Sequence, residues 1–116
     1  MNASDRFPTE RNIWLATVRP DGRPHLIPIW YVVHAEVYYI CTAPGSVKAR
    51  NIAHNARVTL ALEDGDKPFI VEGEASPVEA PTEVIAAFKS KYDWDITTDE
   101  HYTQTYRIDV TRQVAD

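Results

Sequence analysis

The segment from Thr42 to Arg57 has the residue types of an anion-binding site in an otherwise acidic chain. It carries the cations Lys48, Arg50 and Arg57 and no acidic residue, whereas the whole chain has a formal net charge of −5. A Pro-Gly turn leads to Ser46, a favoured helix N-cap, so a helix with free N–H groups at its positive dipole end should start here. These groups, the two hydroxyls and the Lys48 ammonium are the donors that would hold a phosphate.

The same segment has a simpler interpretation. Ser46 is then only a helix cap, and Lys48, Arg50 and Arg57 form a solvated helix face. The spacing does not match a P-loop, because such a loop needs a longer glycine-rich turn ending in Gly-Lys-Ser/Thr after a buried strand. The residues of this segment alone leave both interpretations open.

No other group of residues predicts side-chain catalysis or a metal site. The lone cysteine, Cys41, has no disulfide partner and no Cys or His neighbour at metal-ligand spacing, so we expect a packed strand residue. His54 and His101 have no second ligand three or four residues away. The sequence shows neither a Ser-His-Asp arrangement nor a carboxylate pair with an obvious role. We therefore predict no catalytic side chain and no metal ligand.

Length and composition indicate one domain over residues 1–116. The chain has 116 residues, of which 44% are hydrophobic, which is enough for a single compact core. No window approaches the roughly 18 apolar residues of a membrane span, and the N-terminus lacks the basic and apolar regions of a signal peptide. The negative charge argues against a general nucleic-acid binder. We expect a cytoplasmic protein with no membrane or nucleic-acid partner.

The elements that must position the anion-binding segment are mainly short strands. Ile13–Val18 is an apolar run, and the Arg-Pro-Asp-Gly sequence at 19–22 predicts the turn of a hairpin. The next run, Arg23–Val33, is a long strand. It must be an edge strand or a bulged one, because Pro24 and Pro28 cannot donate to a ladder.

Two helices and four further strands complete a small barrel. A helix that begins at Pro81 places Val84, Phe88 and Tyr92 on one apolar face. The other predicted strands are Glu36–Thr42, Ala56–Leu62, Pro68–Val78 and Thr105–Val110, and a short polar helix runs from Ser46 to about His54. Six strands joined mostly by hairpins indicate a mainly β fold, a small antiparallel barrel with two or three short helices.

Several aromatic residues can serve either the core or a ligand. We expect Trp14 in the core, whereas Trp30 and Tyr31 should face opposite ways if their strand alternates. In the polar connector after the second helix, Trp94, His101 and Tyr102 either cover the mouth of a substrate site or pack against the helix. Packing is the preferred interpretation.

Several short pieces of the chain stand in the order found in a known family. The pieces are Trp14-Leu15-Ala16-Thr17-Val18, Pro20-Asp21-Gly22-Arg23-Pro24-His25, Pro28-Ile29-Trp30-Tyr31-Val32, Tyr39-Ile40-Cys41-Thr42, Ser46-Val47-Lys48-Ala49-Arg50-Asn51, Asn55-Ala56-Arg57-Val58, Val71-Glu72-Gly73-Glu74-Ala75 and Tyr106-Arg107-Ile108-Asp109-Val110. From about Ile13 to Val114 the chain resembles the pyridoxamine 5'-phosphate oxidase-like superfamily, in particular its small flavin- or deazaflavin-dependent members. The order of the pieces is specific, although no single piece is decisive.

This resemblance implies a six-stranded antiparallel split β-barrel, the FMN-binding split barrel, which forms a homodimer with a flavin in each of two interface clefts. It also implies two groups of cofactor-binding residues. The first group lines the flavin ring and comprises His25, Leu26, Ile27, Pro28, Ile29 and Trp30. The second group surrounds the ribityl phosphate and comprises Thr42, Ser46, Lys48 and Asn51. The prolines fit this arrangement, because backbone groups left unpaired near them can face the polar edge of the ring.

Val47 departs from the family pattern. Many relatives have Arg at this position, so one of the two cations that grip the phosphate is missing here. Arg23, Arg50 and Arg57 are the candidates to replace it. Without a replacement the phosphate of FMN would be held more weakly, and the ligand could instead be a deazaflavin.

The expected function is that of a flavin-dependent oxidoreductase, which binds FMN and reduces or oxidises a small organic substrate. The flavin would carry the electrons, while the protein supplies shape, polarity and exclusion of water. One alternative is a reductase that depends on the deazaflavin coenzyme F-420. Another is a non-catalytic module that binds a flavin or haem. Formation of pyridoxal phosphate is not expected, because the C-terminus lacks the Trp, Arg and His residues of the founding enzyme of the superfamily.

Overall fold

Seven β-strands in one antiparallel sheet carry the fold of the computed structural model, which describes residues 3–115. Two helices accompany the sheet in that part of the chain. The strands are β1 (Ile13–Val18), β2 (Pro24–Ile29), β3 (Val32–His34), β4 (Val37–Thr42), β5 (Arg57–Leu62), β6 (Ile70–Val78) and β7 (Gln104–Ala115), and the helices are α1 (Val47–His54) and α2 (Thr82–Tyr92). The order across the sheet is β2-β1-β5-β6-β7-β4-β3, so β2 and β3 are its two edges.

The hairpin of β1 and β2 forms as its turn residues predict. The N–H of Gly22 donates to the carbonyl oxygen of Arg19 at 2.8 Å, and Gly22 has a φ of 91°, which favours glycine. Pro24 and Pro28 both lie in the edge strand β2, as their missing donors require. The predicted edge strand is therefore confirmed at this end of the sheet.

The prediction of one strand over Arg23–Val33 is wrong, and with it the count of six strands. The segment is divided at Trp30 and Tyr31 into β2 and β3, which lie at opposite edges of the sheet. Among residues 3–115 no ladder joins β2 to β3. The sheet therefore curls as a split barrel that is not closed.

Tyr92, at the end of α2, explains the division. Its hydroxyl oxygen accepts from the backbone N–H of Tyr31 at 2.9 Å, and its proton faces the carbonyl oxygen of Tyr31 at 2.8 Å. The Lys91 ammonium donates to the same carbonyl at 3.1 Å. Buried backbone groups need partners, and those of Tyr31 find them in two side chains instead of a neighbouring strand. The ring of Tyr31 is fully buried, whereas Trp30 is only half-buried.

Alternation along β1 decides which of its side chains enter the core. Ile13, Leu15 and Thr17 are buried, whereas Trp14 between them is 38% exposed. The expectation of a core Trp14 is wrong, because its position in the pleat puts it on the outer face of the sheet.

Both helices begin and pack as their sequences predict. The Ser46 hydroxyl accepts from the N–H of Ala49 at 3.3 Å and so caps α1. Val84, Phe88 and Tyr92 of α2 are buried against β4, where Cys41 is also buried. Neither helix of residues 3–115 is long and apolar enough to cross a membrane.

The last strand extends well beyond the predicted Thr105–Val110, because β6 pairs with it as far as Ala115 opposite Ile70. The added residues are mostly polar and carry no apolar pattern, so only their partner strand defines them. The β6–β7 ladder is irregular beside Gly73, where an added Cβ would lie 2.6 Å from the carbonyl oxygen of Asp109. Glycine is required for this close approach of the two backbones.

Candidate functional site

A cleft of about 460 Å³ opens beside the division between β2 and β3. Its volume falls in the range of roughly 300–1,000 Å³ that is usual for small-molecule sites. Four parts of the chain form its walls, namely the residue before β1, the end of β2, the region of α1 and β4, and the connector between α2 and β7. The lining residues are Asn12, Ile27, Pro28, Ile29, Trp30, Cys41, Lys48, Trp94, Asp99 and Tyr102.

The wall of the cleft formed by β2 is apolar, and it ends at the indole of Trp30, whose neighbours fix its orientation. Ile27 and Ile29 are half-buried in it. The indole of Trp30 stacks on the ring of Tyr92, with centroids 4.4 Å apart and planes 9° from parallel. The guanidinium carbon of Arg11 lies 4.6 Å from the centroid of the same indole. The orientation of Trp30 is therefore set by its neighbours before any ligand binds.

Lys48 is the basic residue of this cleft. It lies in the first turn of α1 and is half-buried. Burial lowers the pKa of its ammonium, and no carboxylate within residues 3–115 forms an ion pair with it. A cation that loses water without gaining a carboxylate is destabilised unless an anion joins it. This position can therefore receive an anionic group.

Thr42 and Ser46 lie together at the start of α1 but do not line the cleft. Their hydroxyl oxygens are 2.8 Å apart, and the Ser46 oxygen also caps Ala49. Thr42 is fully buried. These two hydroxyls have a structural role at the beginning of the helix. A contact with a ligand would be a second role for them.

His25 faces inward from β2 and has an unused polar atom. Its Nδ1 is buried and has no hydrogen-bond partner in the described part of the chain. Burial lowers the pKa of the imidazole, and the nearby charges of Arg19 and Lys48 lower it further. A neutral His25 close to these cations could hydrogen bond a ligand through this nitrogen.

Asn51 and Leu26 lie away from the main cleft. The Asn51 amide is buried and donates to the Thr17 hydroxyl at 3.0 Å, which fastens α1 to β1. The Leu26 side chain is 61% exposed and points away from the core, on the outer face of β2. The structure thus groups Ile27 to Trp30 with Lys48 around the cleft, and leaves these two residues outside it.

A second cavity of about 470 Å³ lies on another side of α1. It brings Arg23 and Arg50 beside Val47, the position at which the family pattern has arginine. Arg57 does not line it and is exposed on β5. Of the three candidate replacements for the missing cation, Arg23 and Arg50 are therefore adjacent to Val47.

The connector between α2 and β7 supplies lining residues that sequence reasoning did not assign to the site. Trp94 packs edge-on against Phe88 at 5.4 Å and also lines the cleft, together with Asp99 and Tyr102. The predicted packing of Trp94 thus occurs in addition to a place in the wall. The sequence feature that could have indicated these lining residues is the presence of aromatic residues in an otherwise polar segment.

An apolar, aromatic cleft with a few fixed polar groups has the usual features of a small-molecule site. The family model for pyridoxamine 5'-phosphate oxidase matches residues 2–114 of the sequence. The chain therefore belongs to the pyridoxamine 5'-phosphate oxidase-like family of split barrels. None of the curated proteins compared with the chain resembles it at a significant level.

Solved structures with the same fold have several functions. The haem storage protein HutZ of Vibrio cholerae has a TM-score of 0.80 at 21% identity, over 99% of this chain and 95% of that one. A conserved hypothetical protein of Mycobacterium tuberculosis has a TM-score of 0.77 at 29% identity, over 97% and 82% of the two chains. An F420 reductase has a TM-score of 0.68 at 24% identity, over 93% and 92%. These similarities show the fold, which haem-storing and reducing proteins share.

Proposed function

We propose that this protein binds a flavin-type cofactor, FMN or the deazaflavin F-420, in the cleft beside Trp30 and acts as an oxidoreductase on a small organic molecule. The observation that carries the proposal is Lys48, a half-buried ammonium without an ion-pair partner in the described chain, set in a mostly apolar and aromatic cleft. Membership of a family that contains flavin enzymes supports the same conclusion.

The residues present fit a cofactor that combines a planar ring with a phosphate. Lys48 and the N–H groups at the start of α1 would hold the phosphate. In the second cavity Arg50 would add positive charge nearby, whereas Arg23 is already paired with Asp21. The inward side of β2 from Ile27 to Ile29 would lie along the ring. His25 does not line the cleft, so its free Nδ1 would reach only a part of the ligand that extends beyond the cleft along β2. Thr42, Ser46 and Asn51 would support this arrangement by fixing α1.

When bound, the cofactor supplies hydride or electron transfer. The chain's own residues bind it, orient it and exclude water from the reacting face. The half-buried Trp30 and Trp94 would limit the access of water to the cleft. Because the cofactor would carry out the electron transfer, the reaction needs no catalytic side chain.

The homodimer forms, on this proposal, through the outer face of β1 and β2. Trp14 lies opposite Pro28 and Ala16 opposite Leu26 across the two strands, which gives a continuous exposed apolar patch. Pro28 belongs both to this patch and to the cleft. A second copy placed on the patch would therefore cover the rim of the cofactor site.

Haem binding is less well supported by the cleft. Haem iron needs an axial ligand such as His, Met or a thiolate. No histidine of residues 3–115 lines the cleft, and burial raises the pKa of the Cys41 thiol, which disfavours the thiolate. The similarity to a haem storage protein therefore extends to the fold and not to a recognisable iron site.

Identification of the native ligand tests the proposal directly. The purified protein should release FMN or F-420 on denaturation, as measured by absorbance and mass spectrometry. Lys48→Ala should weaken the affinity for that cofactor by about tenfold, because a charge-assisted contact is lost. Lys67→Ala, in the exposed β5–β6 turn, is the matched control and should bind like the wild type. Equal affinity of Lys48→Ala and wild type would overturn the model.

The dimer is tested separately by sedimentation equilibrium. Leu26→Glu should shift the protein to monomers, whereas Val114→Glu, at a comparably exposed apolar position on β7, should leave the dimer intact. A monomeric wild type, or a Leu26→Glu variant that dimerises normally, would exclude this face as the interface.

A further inference from the structure

One corner of the cleft is not used by any part of the proposed cofactor contacts. It is built by Trp94, Asp99 and Tyr102 of the connector between α2 and β7, together with Trp30. We name these four residues the acidic–aromatic corner. Its carboxylate and its rings differ in chemistry from the basic region around Lys48, and no ion pair connects Lys48 to Asp99 in residues 3–115.

The carboxylate of Asp99 is fixed in place and kept ionised. Its Oδ1 accepts from the backbone N–H groups of Tyr102 and His101, each at 2.8 Å, and its Oδ2 accepts from Nε1 of Trp94 at 3.0 Å. These donors, the backbone N–H of Tyr102 first, hold the pKa of the carboxyl below its usual value. No Lys or Arg in the described residues forms an ion pair with it, so a negative charge remains at the wall of the cleft.

The rings around Asp99 stand nearly at right angles to one another. The planes of Trp30 and Trp94 meet at 72° with centroids 5.8 Å apart, and those of Trp94 and Tyr102 at 89° with centroids 6.1 Å apart. These three rings line the same cleft as Asp99, so their π-systems border the space next to the carboxylate, and aromatic rings in such a place attract organic cations.

From this arrangement we infer that the acidic–aromatic corner binds an organic cation, a protonated or alkylated amine carried by the substrate. A carboxylate without an ion-pair partner, beside aromatic rings that line the same cleft, is a combination that recognises an ammonium group. The inference rests on the proposed function only in taking the cleft as the reaction site. Substrates with an amine would then bind with their cation at Asp99, and anionic substrates would be rejected by the same charge.

Binding of a simple cation by the cofactor-free protein tests the inference independently of any flavin. Choline is the probe, and 3,3-dimethylbutan-1-ol is its uncharged equivalent of similar shape. The readout is the ¹H–¹⁵N resonance of the Trp94 indole, whose N–H donates to Asp99, assigned with Trp94→Phe. Choline should shift this resonance saturably and bind about tenfold more tightly than the alcohol.

Two variants distinguish the effect of the Asp99 charge from a general effect on the fold of the connector. Asp99→Asn keeps an acceptor for the backbone N–H groups but loses the charge, and should weaken choline binding about tenfold. Asp95→Asn is the matched control, because Asp95 also accepts from a backbone N–H in the same connector, at Thr97, but does not line the cleft. It should leave choline affinity unchanged.

If Asp99→Asn does not fold, Tyr102→Leu provides the second route, since it keeps the carboxylate and removes one ring. It should weaken choline binding more than binding of the alcohol. The inference is overturned if choline gives no saturable shift, if choline and the alcohol bind equally, or if neither variant changes the preference for choline. If the wild-type protein binds choline as expected but binds neither FMN nor F-420, the proposed function is wrong and the inference stands.

Discussion

The hydroxyl of Tyr92 serves both backbone groups of Tyr31, with its oxygen 2.9 Å from the amide nitrogen and 2.8 Å from the carbonyl oxygen. The same hydroxyl lies 2.8 Å from the carbonyl oxygen of Arg11, so its one proton is shared between two acceptors. Through these contacts the end of α2 fastens the junction of β2 and β3. Trp30, the neighbour of Tyr31, is thereby positioned in the wall of the cleft.

Removal of the Tyr92 hydroxyl should destabilise the protein. Tyr92→Phe leaves the buried N–H of Tyr31 without its partner, and we expect a loss of about 1–3 kcal/mol in the free energy of unfolding, measured by urea titration. Tyr31→Phe is the contrasting variant, because the Tyr31 hydroxyl is buried without a partner in the described residues. It should cost nothing or stabilise. The reverse order of the two stabilities would contradict this description of the junction.

Lys91 should make stability increase with pH in mildly alkaline solution. Burial lowers its pKa to about 8 from the ordinary 10.5. Between these values the unfolded chain binds a proton that the folded chain does not, so the free energy of unfolding rises from about pH 8 upward. Cys41 acts in the opposite direction from about pH 9, since burial raises the pKa of its thiol above the ordinary 9.0, and Tyr38 and Tyr92 do so only near and above pH 10, since burial raises their pKa values to about 12.

Thermal unfolding between pH 8 and pH 10 measures this effect. Lys91→Met should flatten the rise in stability. Lys89→Met, two residues away on the exposed side of α2, should preserve it, because Lys89 is exposed and paired with Asp93. An unaltered slope in Lys91→Met would mean that the ammonium is not desolvated in the folded protein.

Val47→Arg should tighten FMN binding. The new guanidinium would begin at the first residue of α1 and join Arg23 and Arg50 near the phosphate. We expect a gain of about tenfold in affinity for the cofactor, as one charge-assisted contact provides. Val47→Gln, which adds length without charge, is the control and should gain much less. Fluorescence titration of the cofactor-free protein measures both, and a gain of equal size in the two would exclude a phosphate at this position.

Gly73→Ala should be strongly destabilising, because its Cβ would meet the carbonyl oxygen of Asp109 at 2.6 Å in the paired strand. The obstacle is backbone, so relief requires a shift of the β6–β7 ladder, and we expect a loss of about 1–3 kcal/mol or more. Gly65→Ala has no atom within 4 Å of its Cβ and serves as the control. Urea titration of the two variants compares the costs. Equal stabilities would show that the ladder adjusts freely.

Elements defined by local chemistry could be predicted from the sequence. The Gly22 turn, the Ser46 cap and the apolar face of α2 each depend on residues that are close together in the sequence. The division at Tyr31 could not be predicted, because its cause is Tyr92, 61 residues later. The second half of β7 depends in the same way on its partner β6.

The candidate site shows the same limit. Lys48 and the apolar end of β2 could be chosen from charge pattern and family resemblance. The connector residues around Asp99 could not, because that segment has no periodicity, and its shape comes from hydrogen bonds of Asp95 and Asp99 to nearby N–H groups. The sequence also could not separate Trp14 from Trp30. Trp14 lies in β1 on the outer face of the pleat, whereas Trp30 lies in the break between β2 and β3, whose cause is distant in sequence.

The two prolines of β2 have a consequence for how this protein can meet other chains. The backbone N–H of Arg19 donates to the carbonyl oxygen of Arg23 across the turn, so Arg23 directs its backbone groups toward β1. Because this direction alternates along an antiparallel strand, residues 25, 27 and 29 also direct their amides toward β1. Residues 24, 26 and 28 direct their backbone groups outward. Two of the outward positions are proline. Only Leu26 offers an amide along the outer margin of β2, so addition of a foreign strand to the sheet is disfavoured there, and with it intermolecular β-aggregation beside the cleft. Self-association in this region then depends mainly on side chains.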